Sequence, residues 1–294
     1  MKEKCRVCPR GCVCDRTSER AADYGICGVP QTFVIGRIGP HMWEEPPVSG
    51  KNGSGAVFFS GCNLGCVFCQ NRVISRERAG ERMTEEELGE RILALQESGV
   101  HNINLVTATH YADSIAHLLE RIRPKLHIPV VYNCGGYEGM EALRRLAGLV
   151  DVYLPDFKYV SGELSAAYSK APDYAEVASR AIEEMYRQVG AVRFSQDGTI
   201  KRGMIVRHLV LPGCRKDSME VLRRLETLVP VEDIRLSLMS QYTPDFAADA
   251  PYPNLHRRLT SFEYSTVLEE AQRLGFDGYS QELSSATQQY TPEL

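Results

Sequence analysis

The chain has 294 residues, with 34 basic and 38 acidic side chains and a formal net charge of −4. Surfaces that bind nucleic acids are usually basic, so this balance argues against general nucleic-acid binding. The apolar runs fall short of the roughly 18 residues that a membrane-spanning helix needs. The polar N-terminus, MKEKCRVCPRGC, lacks the apolar stretch of a signal peptide. We therefore expect a cytoplasmic protein whose ten cysteines are reduced and available to bind metal.

From Gly55 onward, short apolar runs alternate with amphipathic runs, which predicts alternating strands and helices. The sequence Thr84-Glu85-Glu86-Glu87 has the pattern of a capping box and predicts that a helix begins there. The predicted strands cover residues 55–60, 103–107, 128–133, 150–154, 204–211 and 234–239. The other predicted helices cover residues 111–123, 138–147, 161–188, 218–228 and 262–274.

This alternation predicts an α/β fold, because strands joined by helices form right-handed crossovers and a parallel sheet. Six such units predict an open, partial (β/α)6 barrel over residues 51–294, preceded by a Cys-rich N-terminal extension over residues 1–50. In such folds, functional side chains gather at the C-terminal ends of the strands. The polar or thiol side chains predicted there are Cys62, Thr107, Thr109, His110, Asn133, Cys134, Asp156, Lys158, Arg207, His208, Ser240, Gln241 and Tyr242.

The stretch GCNLGCVFCQN places Cys62, Cys66 and Cys69 directly after the first of these strands. Zinc sites and most iron–sulfur clusters use four protein ligands, and no fourth cysteine follows at short range. One interpretation is a zinc or cluster site whose fourth ligand is distant in sequence. The other is a [4Fe–4S] cluster with one open iron, which is useful only if another molecule binds it.

The spacing C-x3-C-x2-C, with Phe68 before the last cysteine, resembles the radical S-adenosylmethionine superfamily. In that family, the amino and carboxylate groups of S-adenosylmethionine bind the open iron of a [4Fe–4S] cluster. An electron from the cluster then cleaves the sulfonium to give methionine and a 5′-deoxyadenosyl radical, which abstracts hydrogen from a substrate. The resemblance implies that Cys62, Cys66 and Cys69 hold the cluster and that the cofactor is the missing ligand.

A closer resemblance is to pyruvate formate-lyase activating enzymes, through the stretches CVFCQNR at 66–72, LPDFK at 154–158 and RHLVLPG at 207–213. The stretch EEPPVSG at 44–50 and the N-terminal C-x2-C-P-R-x-C look like a stand-alone, activating-enzyme-like subfamily. The residues that this implies as cofactor-binding are Phe68, Thr107, Thr109, Asn133, Asp156, Arg207 and Gln241. Arg207, a charge on an apolar strand, needs an anionic partner, either the methionyl carboxylate or Asp156.

Two stretches depart from the activating-enzyme pattern. The sequence VTATH at 106–110 stands where those enzymes carry Gly-Gly-Glu to hold the methionyl amine. Ser240-Gln241 stands where they carry a histidine after the sixth strand. Hydroxyl and imidazole groups make similar hydrogen bonds. The two stretches nevertheless do not repeat the residues of the family, so they do not identify the substrate.

The N-terminal cysteines form a separate group. Cys5, Cys8, Cys12 and Cys27 have the spacing C-x2-C-x3-C-x14-C, which suits either a structural zinc site or a second iron–sulfur cluster. Cys14 fits the spacing less well and is treated as a spare. The alternative is that all of these residues are free thiols without metal.

The resemblance therefore predicts an enzyme that cleaves S-adenosylmethionine and abstracts hydrogen, supplied with electrons by a flavodoxin- or ferredoxin-type donor. Its substrate is either a glycyl-radical enzyme or a small molecule or peptide, with no nucleic-acid or membrane partner. A different class of function is an iron–sulfur electron carrier or a zinc-stabilised binding module. The many polar residues at strand ends disfavour that class, because a carrier needs no cofactor cleft.

Overall fold

A computed structural model of the chain describes residues 3–281. Its strands are β1 (Glu3–Lys4), β2 (Val13–Cys14), β3 (Phe33–His41), β4 (Ser54–Phe59), β5 (Glu81–Met83), β6 (Ile103–Val106), β7 (Val130–Cys134), β8 (Val152–Pro155), β9 (Arg193–Phe194), β10 (Ile200–Leu209), β11 (Arg235–Met239) and β12 (Gly278–Ser280). Its helices are α1 (Pro46–Ser49), α2 (Arg72–Ser75), α3 (Glu85–Glu97), α4 (Ala112–Ile122), α5 (Met140–Leu146), α6 (Gly162–Ser169), α7 (Tyr174–Val189), α8 (Arg215–Leu228) and α9 (Ser261–Arg273).

The centre of the fold is a parallel sheet in the order β4-β6-β7-β8-β10-β11. Its register aligns the strand ends: Phe58 pairs with Val106, and Val106 pairs with Asn133. In the described part of the chain, β12 forms one edge of the sheet and β5 the other, so the barrel is open. The predicted α/β fold with an open, partial (β/α)6 barrel is therefore confirmed.

Two features of the fold differ from the sequence prediction: the pairing of β3 and the number of helices over residues 161–188. Strand β3 pairs antiparallel with both β4 and β5, so part of the predicted 1–50 extension belongs to the main sheet. The helical stretch predicted over 161–188 is two helices, α6 and α7, separated by a turn that contains Pro172. Proline has no N–H group to donate within a helix, which accounts for the break. The capping box of Thr84 and Glu87 at the start of α3 is confirmed.

The interior of the barrel is filled from its N-terminal end by α1. Val48 on this short helix packs with Val131, Val152 and Leu154 in a cluster of fully buried side chains. Asn102, just before β6, donates a hydrogen bond of 2.6 Å to the Val48 carbonyl and holds α1 in place. Because this end is closed by apolar packing, the polar side chains that point inward gather toward the other end of the strands.

All ten cysteines of the chain are free thiols in this structure. Among residues 3–281, no helix has both the length and the apolar character to span a membrane.

Candidate active site

A cavity of about 220 Å³ opens at the C-terminal ends of the parallel strands. We refer to it as the strand-end cavity. Predicted site residues that line it are Cys62, Cys66, Phe68, Cys69, Thr107, Asn133, Asp156, Arg207 and Gln241. These residues come from the loop after β4 and from the ends of five further strands, so the sheet register brings together side chains far apart in sequence.

Each of the three cysteine sulfurs in this cavity has a hydrogen-bonding partner. The N–H of Leu64 donates to Sγ of Cys62 at 3.3 Å. The hydroxyl of Ser169 lies 3.0 Å from Sγ of Cys66, and that of Ser75 lies 3.3 Å from Sγ of Cys69. Such donors stabilise thiolates. Three sulfurs that line one cavity, each with a hydrogen-bonding partner, provide the number and type of protein ligands of an iron–sulfur cluster with one open iron.

Burial opposes ionisation of these thiols in the protein alone. It raises the pKa of Cys62 and of Cys69, and the neighbouring Cys66 raises both further. The Lys158 ammonium acts in the opposite direction on both sulfurs. A bound cationic metal centre would reverse the preference, because metal ligation stabilises the thiolate form.

The loop that carries the three cysteines, residues 60–71, is held on both sides of Cys62. Gly61 has a φ of +83°, and a Cβ atom there would lie 2.6 Å from the carbonyl oxygen of Cys27. A side chain at Gly61 is thus excluded both by conformation and by close approach. On the other side, Nε of Arg10 donates to the Asn63 carbonyl at 2.7 Å, and Nδ2 of Asn63 donates to the Tyr137 carbonyl at 2.6 Å.

A network of charges lies deeper in the strand-end cavity. Nε of Arg207 donates to Oδ1 of Asp156 at 2.9 Å, and another guanidinium nitrogen donates to Oδ1 of Asn133 at 2.5 Å. Nζ of Lys158 donates to the other oxygen of Asp156. Burial opposes ionisation of Asp156, but Arg207 and Lys158 outweigh it and lower the pKa of this carboxyl. In the structure, Arg207 is therefore paired with Asp156, which was one of the two partners predicted for this charge.

Two neighbouring glutamates complete this network and were not identified as site residues from sequence. Glu44 lies 3.5 Å from Arg207 and accepts hydrogen bonds from Nδ2 of Asn104 at 2.9 Å and from Nδ2 of Asn133 at 3.3 Å. Glu45, behind it, is also buried. Burial raises the pKa of both carboxyls, while Arg207 lowers it. The sequence Glu-Glu-Pro-Pro could have identified them, because two adjacent charges at the start of a buried helix need polar partners.

The remaining predicted residues, Thr107, Phe68 and Thr109, lie in three different surroundings. Thr107 lines the cavity with a φ of +62°, a strained conformation for a β-branched residue, and donates its N–H to the Asn133 carbonyl at 2.8 Å. Phe68 packs edge-on against Tyr168 and Tyr242. Thr109 does not line the cavity and instead donates its hydroxyl to Glu138 at 2.7 Å.

Glu138 is a buried carboxyl behind the cavity wall that sequence reasoning missed. It accepts hydrogen bonds from the hydroxyls of Thr109 at 2.7 Å and Tyr132 at 3.1 Å. Burial raises its pKa to about 7 despite these donors. No sequence signal marked it, because it lies in the loop before α5 and its burial depends on the packing of β6 against β7.

The N-terminal cysteines surround a second, much smaller cavity, which we call the N-terminal cavity. It is lined by Cys5, Cys8, Cys12, Cys14 and Cys27, together with Arg10, Arg16 and His110. Cys14, treated as a spare from its spacing, lies beside the others: its sulfur and that of Cys12 both approach Gly25. His110, expected at the end of the second barrel strand, faces this cavity and not the strand-end cavity.

Comparison with known proteins gives one family match and one extended relative. Residues 56–195 match the family model described as the radical SAM superfamily. An uncharacterized protein of Methanocaldococcus jannaschii is 28% identical over 291 residues, covering 94% of this chain and 76% of that protein. The match to the family model includes most of β4, the loop of three cysteines and the strands β5 to β9.

Solved structures share the fold. A radical SAM methyltransferase from Sphaerobacter thermophilus has a TM-score of 0.52 at 16% identity, covering 77% of this chain and 65% of that chain. Streptococcus suis SuiB bound to S-adenosylmethionine has a TM-score of 0.51 at 14% identity, covering 76% of this chain and 49% of that chain. At these identities the likeness concerns the fold alone. The match to the radical SAM superfamily is thus a match of residues 56–195, which contain the three cysteines that follow β4 of the open parallel sheet.

Proposed function

We propose that this chain is a radical SAM enzyme in which Cys62, Cys66 and Cys69 ligate a [4Fe–4S] cluster. The cluster would supply one electron to S-adenosylmethionine, giving methionine and a 5′-deoxyadenosyl radical that takes a hydrogen atom from the substrate. The single observation that carries the proposal is the three sulfurs that share the strand-end cavity, each with a hydrogen-bonding partner. A flavodoxin- or ferredoxin-type reductant and a cytoplasmic location remain predictions.

The residues around the sulfurs have separate roles in this proposal. Ser169, Ser75 and the Leu64 N–H stabilise the thiolates. Thr107 and Gln241 line the same cavity and present groups that can hydrogen-bond the cofactor. Arg207 already donates to Asp156 and Asn133, so we assign it to hold this network in place and not to bind the methionyl carboxylate.

The test is a triple variant, Cys62→Ala/Cys66→Ala/Cys69→Ala, compared with Cys214→Ala, which removes a buried thiol outside the strand-end cavity. Both proteins are purified and reconstituted anaerobically, then assayed for iron, sulfide and 5′-deoxyadenosine formation with a chemical reductant. We expect the triple variant to lose about four irons, the content of one cluster, and all cofactor cleavage, whereas the control keeps both. Cofactor cleavage by the triple variant would refute the assignment.

For the substrate, the resemblance to stand-alone activating enzymes supports a glycyl-radical enzyme, whose backbone glycine would lose the hydrogen atom. A glycine-centred radical in a partner protein, detected by electron paramagnetic resonance after incubation with the reduced enzyme, is the corresponding test. The replacement of both the Gly-Gly-Glu and the histidine positions weighs against this candidate.

A second candidate is a small molecule or peptide that carries an ammonium or guanidinium group. Three buried carboxyls, Glu44, Glu45 and Asp156, face the two cations Arg207 and Lys158. Of these carboxyls, Glu44 and Asp156 line the strand-end cavity. Carboxyl oxygens that line a cavity favour a ligand that donates hydrogen bonds.

This candidate is tested with simple probes on the intact protein. Butylammonium is compared with butanol and butyrate by isothermal titration calorimetry, using wild type and Glu44→Gln. We expect only butylammonium to bind, and its affinity to fall about tenfold in Glu44→Gln, since a charge-assisted hydrogen bond contributes more than about 1 kcal/mol. Equal binding of butanol, or an unchanged affinity in Glu44→Gln, would argue against a cationic substrate.

A further inference from the structure

The N-terminal cavity brings together residues that are scattered in the sequence. Five thiols from positions 5 to 27 and the imidazole of His110, at the end of β6, line the same space. Its free volume is about 10 Å³, close to what one water-sized sphere occupies. So little free space favours a single ion over a four-iron cluster with its sulfides.

His110 lines this cavity, and its hydrogen bonding identifies which ring nitrogen is a free acceptor. Nε2 lies 2.8 Å from the Ser60 carbonyl oxygen. A carbonyl oxygen only accepts, so Nε2 carries the hydrogen and Nδ1 of the neutral ring bears a lone pair. The ring is 1% exposed, and Nδ1 has no hydrogen-bond partner.

An imidazole arranged in this way has the form of a metal ligand. Histidines that bind metals usually donate their other N–H group to a carbonyl or carboxylate, which fixes the tautomer. A buried acceptor without a partner is costly, and a metal ion at Nδ1 would remove that cost. The buried position and the fixed tautomer are independent of the cysteine spacing, so they form a second observation in favour of a metal at this place.

Burial raises the pKa of Cys8 in the protein alone, but donors to two of the sulfurs would stabilise thiolates bound to a metal. The Arg10 N–H bonds to the sulfur of Cys8, and the Ile26 N–H lies 3.5 Å from Sγ of Cys12. The side chains of Arg10 and Arg16 line the cavity. Three thiolates with a divalent ion carry one excess negative charge, which these guanidinium groups would balance.

We propose that the N-terminal cavity binds one ion of the zinc class in a tetrahedral site made by Nδ1 of His110 and three of the five cysteine thiolates. We assign Cys8 and Cys27 as two of the three, because the Arg10 N–H bonds to the Cys8 sulfur and the Cys27 backbone carbonyl lies against Gly61, next to Ser60. Cys12, which also has an amide donor, is a candidate for the third. This replaces the four-cysteine set suggested by spacing alone. Among residues 3–281, no three His, Cys, Asp or Glu side chains yet surround one point closely enough, so the sulfurs must turn about χ1 to bind.

The proposed ion would connect the N-terminal segment to the loop of the radical cluster. His110 holds the Ser60 carbonyl, and the Cys27 carbonyl lies directly against Gly61. Ser60 and Gly61 are the two residues before Cys62. An ion bound to both Cys27 and His110 would therefore fix the backbone that positions the first cluster ligand.

The experiment uses the full chain with Cys62, Cys66 and Cys69 replaced by alanine, so that it does not depend on the radical cluster or on cofactor cleavage. Zinc, iron and sulfide are measured after anaerobic purification. Co²⁺ is then exchanged into the site, because its visible absorption reports tetrahedral geometry and the number of thiolate ligands. We expect about one zinc per chain, no sulfide, and a Co²⁺ spectrum typical of three sulfurs and one nitrogen.

Single variants then test the ligands. Cys8→Ala, Cys27→Ala and His110→Phe should each lower zinc affinity at least about tenfold, whereas Cys214→Ala should leave it unchanged. Two of the five N-terminal cysteines should tolerate alanine. Since His110→Phe alters a buried position, ¹⁵N spectra of histidine-labelled protein loaded with ¹¹³Cd provide a reading without substitution: coupling to Nδ1 of His110 is expected.

Three results would overturn the proposal. The first is a protein without zinc, and the second is iron with sulfide in its place. The third is a fully thiolate Co²⁺ spectrum that His110→Phe leaves unchanged, together with no cadmium coupling to His110. None of them bears on the ligation of the radical cluster by Cys62, Cys66 and Cys69, which is absent from the tested protein.

Discussion

The two cysteine-rich regions of this protein differ in how much room surrounds the sulfurs. Three cysteines after β4 share an open cavity of about 220 Å³ with charged and aromatic side chains, whereas five cysteines near the N-terminus enclose about 10 Å³. A site with open space beside the sulfurs suits a metal centre that binds a further molecule, and a closed site suits a structural ion. Cysteine spacing therefore predicts where a metal can bind, whereas the space around the sulfurs determines whether the bound metal can also bind another molecule.

The regions also differ in how their charges are balanced. In the strand-end cavity, Arg207 is paired with buried carboxylates, and its side chain is 16% exposed. In the N-terminal region, Arg10 and Arg16 donate mostly to backbone carbonyls of the loops that they hold together. We therefore expect substitutions of buried paired charge in the first region to cost more than substitutions of arginine in the second.

The largest effect is expected from Arg207→Met. It leaves Glu44 and Glu45 buried without a cation, so the free energy of unfolding should fall by about 3–5 kcal/mol. With Arg207 gone, burial alone would set the pKa of these carboxyls above their unfolded values. Stability should then be retained below the unfolded pKa and lost as the pH rises through the folded one, so the defect should be larger at high pH than at low pH.

Urea unfolding across a pH series measures this effect. Arg202→Met on the same strand is the matched control, because Arg202 donates only to the carbonyls of Val189 and Gln188 among its described contacts. The control should lose about 1–2 kcal/mol without the pH dependence. A similar, pH-independent loss in both variants would show that the carboxyl network is not balanced by Arg207.

The second effect concerns the junction of the two regions. Gly61→Ala adds a Cβ that would lie 2.6 Å from the Cys27 carbonyl oxygen, at a φ of +83°. We expect a loss of about 3 kcal/mol, of which about 1–2 comes from the left-handed conformation and the rest from overlap with backbone. The iron retained after reconstitution should fall as well, because the loop must shift.

Gly99→Ala separates the two contributions. Gly99 has a φ of +87°, but a Cβ there would meet nothing within 4 Å. Thermal unfolding of both variants should show the larger loss at Gly61, and iron content should fall only there. Equal losses of stability in the two variants would mean that the contact between Cys27 and the cysteine loop does not contribute to stability.

The third effect is a pH dependence of stability that comes from the buried carboxyl of Glu138. Burial raises the pKa of Glu138 from 4.5 to about 7. The stability that the protonated carboxyl contributes is complete below about 4.5 and is lost as the pH rises through about 7. The loss amounts to about 3 kcal/mol, because each tenfold change in the ionisation equilibrium corresponds to about 1.4 kcal/mol.

Glu138→Gln should remove this dependence, because the amide keeps an acceptor oxygen for Thr109 and Tyr132 without titrating. Stability curves from acidic to mildly alkaline pH compare the two proteins. If the curves stay parallel through neutral pH, Glu138 is ionised at low pH like an ordinary glutamate.

The smallest effect is expected from Arg10→Ala in the N-terminal region. Arg10 donates to the carbonyls of Asn63, Ser169 and Lys170 and lies over the ring of Tyr137. Loss of these contacts at a partly exposed side chain should cost about 2 kcal/mol. Exposed Arg6 supplies the control, and Arg6→Ala should change stability by less than about 0.5 kcal/mol. Limited proteolysis should cleave residues 1–30 faster only in Arg10→Ala; equal cleavage would place the attachment elsewhere.

Much of the fold was predictable because its signals are local. Hydrophobic period and capping residues marked the six parallel strands and most helices, and the capping box at Thr84 was confirmed. Strand β3 was missed since its sequence, FVIGRIGPH, alternates poorly and its partner β4 supplies the reason for it to be extended. The division of 161–188 into two helices depended on Pro172, which the helical pattern around it obscured.

For the candidate site, spacing in the chain identified Cys62, Cys66 and Cys69, because ligands within one loop are close together whatever the rest of the fold does. Strand-end position likewise anticipated Asn133, Asp156 and Arg207, since parallel strands end at a common edge. Glu44, Glu45 and Glu138 carried no such signal. They enter the site or its wall from a loop and a helix start whose burial follows only from packing.

By itself, the sequence determined the alternation of strands and helices and the two groups of cysteines, because period and spacing are properties of neighbouring residues. Only the tertiary structure decided that Arg207 is neutralised by carboxylates inside the barrel and that Thr109 turns away from the cavity. It also decided that His110, which has one ring nitrogen without a partner, lines the cavity of the N-terminal cysteines, which lie far from it along the chain. The physical reason is that side-chain partners across a sheet are set by register and packing, which bring together residues that share no local pattern.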